Sequence, residues 1–187
     1  MAHLVECQQH RCTVARTASH ACLRGYGLIE VCHLQLSEQQ LIDYAAQLGA
    51  DCPIFILNKP AYAEGIGERL QTIDVNLKGY FLAIVRPDIP VPTKEAFSRI
   101  VPQKPAKNCR TIVSQPIETW RNELVNDFEK SVFALHPEIG QIKERLYQMG
   151  AVYAAMSGSG SALFGIFREE PCLSAHFGTM YNKVLKL

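Results

Sequence analysis

Residues 154–165 read AAMSGSGSALFG. Two apolar runs, VYAAM and SALFGIF, flank the segment Met156-Ser157-Gly158-Ser159-Gly160-Ser161, and each has the length of a short buried strand. A glycine-rich loop between two strands is neither a Walker A loop nor a dinucleotide fingerprint, because both need a helix N-terminus behind the glycines. Small residues with free backbone N–H groups can still form a concavity that takes an anion. They equally suit a tight hairpin whose backbone requires positive φ.

Working outward from this loop, HPEIGQIKERLYQMGA (136–151) predicts a helix. Pro137 suits its first turn, Ile139, Ile142, Leu146 and Met149 form an inner face, and Gly150 terminates it. Residues 116–135 predict helix broken near Asn126, 103–114 a polar loop, and PTKEAFSRI (92–100) a helix with Thr93 as cap. GYFLAIVRP (79–87) is the clearest strand, ending at a proline. Upstream, LSEQQLIDYAAQLG carries a capping box, Ser37 with Gln40, so 37–48 predicts a helix closed by Gly49. PIFIL (53–57) reads as a buried strand, 61–73 as a strand pair punctuated by turns, and 171–187 as a weak helix or strand. The order strand, helices, strand, strand predicts an α+β fold with helices on an antiparallel sheet.

The 187 residues carry 19 basic and 18 acidic side chains, a net charge of +1, which lacks the basic excess of a nucleic-acid binder. No apolar run approaches the roughly 18–20 residues that span a bilayer, and no apolar leader opens the chain, so neither a membrane nor secretion is expected and the location reads as cytoplasmic. Seven cysteines without a CxxC pair read as free thiols. Cys7, His10, Cys12, His20 and Cys22 fit no common zinc module, so no metal site is assigned to them. Asp51 stands just past a helix end and before an apolar run, where a carboxylate can accept a substrate proton or simply bond its own turn.

LGADCPIF, PAYAEGIGERL, VPTKEAF, NDFE and MSGSGSALFG follow one another in this order. Together they resemble the 4-diphosphocytidyl-2-C-methyl-D-erythritol kinases, a branch of the galactokinase, homoserine kinase, mevalonate kinase and phosphomevalonate kinase (GHMP) superfamily. The resemblance covers roughly residues 28–170. It implies a GHMP-kinase-type C-terminal domain over 79–187, a remnant of the ATP-binding N-terminal domain over 28–78, and an unmatched, poorly ordered segment over 1–27. It implies ATP with Mg2+ as cofactors and a cytidine-diphosphate-linked methylerythritol as the small-molecule partner, phosphorylated on a hydroxyl in non-mevalonate isoprenoid biosynthesis. By the same resemblance Asp51 is the catalytic carboxylate, Thr93 and Phe97 line the cytidine pocket, and Gly158, Ser159 and Gly160 form the glycine motif beside the main phosphate loop.

The family's main phosphate loop should lie just upstream of LIEVCHLQLSEQQL, where the sequence reads ARTASHACLRGYG, and no lysine precedes Lys59. Residues 1–27 then read either as a replacement segment or as the product of a frameshift or misassigned start. Two transition-state donors lost at roughly 3 kcal/mol each would cost about 10⁴-fold in rate, so the expectation is a chain inactive alone. The alternative is a non-catalytic module that binds a cytidine nucleotide.

Overall fold

The computed structural model describes residues 36–49, 52–65, 67, 69–100 and 107–187. The segment 1–27, with its Cys/His cluster, and Asp51 lie outside the described residues. The chain divides into two units between Asp74 and Val75.

In the first unit, α1 (Glu38–Leu48) starts as its sequence dictates. Ser37 Oγ accepts the Gln40 N–H at 3.3 Å and Gln40 Oε1 accepts the Ser37 N–H at 2.9 Å. PIFIL is a helix, α2 (Pro53–Leu57), and not the expected strand. Pro53 stands in its first turn, and Asn58, at φ 47°, closes it by donating its N–H to Ile54. A five-residue apolar run has no period to separate the two states, and here packing chose the helix: Cys52 and Ile56 bury against Leu41 and Ala45 of α1. The strand pair follows as expected, β1 (Ala61–Glu64) antiparallel to β2 (Arg69–Thr72).

The second unit opens with β3 (Phe81–Arg86) and α3 (Thr93–Phe97). Pro92 rather than Thr93 occupies the cap of α3, because its carbonyl accepts the Glu95 and Ala96 N–H groups. Part of the expected polar loop is helical, α4 (Cys109–Val113). Asn108 caps it by accepting the Arg110 N–H at 2.8 Å, and Cys109 and Ile112 turn inward. The expected break near Asn126 separates α5 (Ile117–Glu123) from α6 (Phe128–Leu135); α7 (Pro137–Gln148), β4 (Tyr153–Met156) and β5 (Leu163–Phe167) follow as read. The tail holds both a short helix, α8 (Ser174–Phe177), and a strand, β6 (Tyr181–Lys186).

The four strands form one antiparallel sheet in the order β4-β5-β3-β6. Its register puts Ala83, Val85, Ala154, Met156, Leu163 and Phe167 on one face. There they meet Ala96 of α3, Val132 of α6, Ile139, Ile142 and Leu146 of α7, and Phe177 of α8. At the β4 margin, Tyr153 turns to the opposite face, where Trp120 of α5 meets its ring edge-on at 5.7 Å. This is the α+β arrangement of helices on an antiparallel sheet.

Leu146 is fully buried, so Leu146→Ala removes contacts that nothing refills and should cost about 2–5 kcal/mol. Thermal unfolding should show the midpoint falling by about 8 °C or more, while Leu135→Ala, at a side chain 37% exposed, moves it far less.

Candidate functional site

The loop between β4 and β5 is built from α6 and α7 inward. β4 lies at the margin of the sheet, so one row of its backbone groups has no partner strand. Side chains take that row in turn. The Tyr147 hydroxyl donates to Ala154 O and accepts from Ala154 N–H, both at 3.1 Å. Burial pushes the Tyr147 hydroxyl above its ordinary value, which keeps it the neutral donor and acceptor this bridge needs. Two residues on, Glu129 Oε1 accepts the Met156 N–H at 2.8 Å and Asn126 Nδ2 donates to Met156 O at 2.8 Å.

Glu129 is buried, and Lys143 Nζ lies 2.6 Å from its second oxygen, so the carboxylate is paired as well as hydrogen-bonded. Asn126 Nδ2 also donates to Gly158 O at 2.8 Å, while Asn126 Oδ1 accepts the Phe128 N–H at 3.0 Å. Beyond Met156 the loop turns on itself. Ser157 N–H reaches Ala162 O at 2.8 Å, and Gly160 N–H reaches Ser157 O at 3.1 Å. Gly158 at φ 57° and Gly160 at φ 89° take left-handed backbone, and a Cβ on Gly160 would stand 2.7 Å from Met156 Sδ. Backbone conformation therefore favours glycine at 158, and backbone and close approach together demand it at 160.

Thr93 and Phe97 lie at the two ends of α3, both half-buried. This five-residue helix is held on α6 at three points. The Phe97 and Phe128 rings meet edge-to-face at 4.8 Å, Ser131 Oγ donates to Glu95 O at 3.4 Å, and His136 Nε2 stands 2.5 Å from Glu95 Oε1. The segment Asn126–Glu129 thus reaches both α3 and the glycine loop. Its roles were not assigned from the sequence. NDFE marked only a likeness, although a Glu within an apolar helix face is a signal of a buried, paired carboxylate. Lys143 had no local signal.

Among the described residues, no cluster of three or more His, Cys, Asp or Glu side chains could hold a metal ion, and no helix is long and apolar enough to cross a membrane. Strand β5, not a helix, follows the glycine loop, so this loop is not a phosphate cradle of the helix-N-terminus kind.

Residues 110–171 match the family model described as GHMP kinases C terminal. A 4-diphosphocytidyl-2-C-methyl-D-erythritol kinase of Bacteroides fragilis is 51% identical over 143 residues, covering 76% of this chain and 52% of that protein. The kinase of the same name from Bacteroides thetaiotaomicron is 51% identical over 140 residues, covering 75% and 51%. A crystal structure of 4-(cytidine 5'-diphospho)-2C-methyl-D-erythritol kinase superposes with a TM-score of 0.67 at 28% identity, covering 80% of this chain and 55% of that one. A homoserine kinase from Cytophaga hutchinsonii, 16% identical with a TM-score of 0.58, shares the fold. The second unit thus has the architecture of a GHMP kinase C-terminal domain. The chain belongs to the GHMP kinase superfamily, on the branch of the 4-diphosphocytidyl-2-C-methyl-D-erythritol kinases, and spans about half the length of these curated relatives.

Lys143→Met would leave the Glu129 carboxylate buried without its cation, and should destabilise the second unit by about 3 kcal/mol. Adding Glu129→Gln should restore part of that loss. A double-mutant cycle on denaturant midpoints should return a coupling of about 1 kcal/mol or more.

Proposed function

We propose that the chain supplies the acceptor-substrate side of an ATP-dependent kinase that phosphorylates a hydroxyl of 4-diphosphocytidyl-2-C-methyl-D-erythritol. The observation that carries this reading is the 51% identity to kinases of that name over 143 residues, 76% of this chain. In this reading ATP, with Mg2+, supplies the phosphoryl group. Asp51 accepts the proton of the attacking hydroxyl or orients it. Phe97 packs beside the cytosine, Thr93 offers its hydroxyl at the same pocket, and the Gly158-Ser159-Gly160 turn brings the Ser159 backbone donor to the substrate diphosphate. The protein's contribution to such a transfer is positioning and charge stabilisation.

Because the chain spans half the length of its relatives, a second reading stands beside this one: it binds a cytidine nucleotide without turning it over. The two readings separate in one set of assays. Alone, the 187-residue chain should bind the substrate and turn over ATP at least about 10⁴-fold more slowly than a complete relative. Residues 28–187 joined to the N-terminal half of the Bacteroides fragilis relative should phosphorylate the substrate. In that chimera Asp51→Asn should lower turnover by about 10²–10⁴-fold while leaving the thermal midpoint in place. Turnover within a few-fold of the parent would remove Asp51 from the chemistry, and an inactive chimera that still binds substrate would favour the second reading.

A further inference from the structure

We propose that Asn126 is a positioning residue that sets the direction of the Gly158–Ser159 peptide, and so aims the Ser159 N–H at an anionic oxygen of a diphosphate-bearing ligand. The ligand half of this proposal rests on the kinase reading above; the Asn126 half does not.

The orientation of the Asn126 amide follows from its partners. One end faces the Phe128 N–H at 3.0 Å, which only an oxygen can accept. The other faces Met156 O and Gly158 O, each at 2.8 Å, which only an NH2 can satisfy. Both amide protons are therefore committed to the loop. A trans peptide is planar, with its C=O and N–H directed oppositely. Holding Gly158 O on Asn126 consequently turns the Ser159 N–H away from Asn126. That N–H finds no acceptor among the described residues, although Ser159 is only 3% exposed. Gly158 at φ 57° sits at the hinge of the same peptide, and without a Cβ it reorients readily unless something holds its carbonyl. Asn126 is what holds it. A donor kept at one fixed angle, on a nearly buried residue and without an acceptor among the described residues, is prepared to meet negative charge, and a hydrogen bond to a phosphate oxygen is among the strong ones.

The test uses the 187-residue chain itself, 15N-labelled, with cytidine 5'-diphosphate and inorganic pyrophosphate as probes. In the unsubstituted chain both should shift the Ser159 amide resonance downfield. Asn126→Asp keeps the shape and the acceptor for Phe128 but sets a carboxylate oxygen against two carbonyls. Asn126→Ala removes the donor without adding charge, and keeps the experiment informative if the Asp variant does not fold. In the free variants the Ser159 amide should move and exchange faster with solvent, while Leu163–Phe167 keep their resonances. The dissociation constant for cytidine diphosphate should rise about tenfold or more. An unmoved Ser159 amide in the free variants overturns the role of Asn126, as does affinity within twofold. A Ser159 amide that responds to neither probe in the unsubstituted chain overturns its role as an anion donor. A response to pyrophosphate but not to cytidine diphosphate contradicts the cytidine reading and leaves this one supported.

Discussion

The outer margin of β4 is the constraint around which the second unit is organised. A marginal strand presents N–H and C=O groups that must be paired, and here helices α6 and α7 and the break before α6 pair them with side chains in place of another strand. Tyr147 meets Ala154; Glu129 and Asn126 meet Met156; Asn126 goes on to Gly158. The spacing is that of a strand, every second residue, so the side chains continue the ladder's rhythm past its last hydrogen-bonded neighbour. The most expensive member of the row is Glu129, whose burial is tolerable only because Lys143 neutralises it and a backbone N–H bonds it.

This arrangement couples two places that the chain separates by about 60 residues. The break between α5 and α6 lets one short segment face two ways, with Phe128 turned to Phe97 on α3 and Asn126 turned to the glycine loop. Ser131 and His136 extend the hold on α3 along α6 and its end. A five-residue helix has little stability of its own, so these contacts, not its propensity, fix where Thr93 and Phe97 stand. The loop, likewise, takes its shape from its neighbours as much as from its glycines.

How much of this was legible in the sequence follows from where the information is local. α1 and α7 announced themselves through caps and a 3.6-residue stripe, and β3, β4 and β5 through short apolar runs beside breakers. PIFIL misled because five apolar residues carry no period, and the deciding facts were an α1 face to pack on and an Asn able to take φ 47°. The polar loop expected over 103–114 misled because the helix inside it, α4, is only five residues long and rests on the Asn108 cap. Of the candidate site, Gly158 and Gly160 could be found because positive φ selects for glycine. Asn126, Glu129 and Lys143 could not, because their roles depend on what lies opposite them across the fold, and a buried ion pair between two helices leaves no mark in either segment. Asp51 was readable as a residue type in a suggestive place and lies outside the described residues.

The sheet order also sets a timetable. β3 is synthesised before every other strand of its sheet, yet it becomes an inner strand, with β5 on one side and β6 on the other. Phe81 pairs with Lys186, and Leu187 closes the end by exchanging hydrogen bonds with Gly79 and Tyr80, so the pairing spans about 100 residues of chain. During translation β3 must wait for β5 to pair one of its edges and for β6 to pair the other. A nascent or C-terminally trimmed chain therefore carries an apolar strand open on one or both sides, the form in which such a chain is held by chaperones or lost to aggregation.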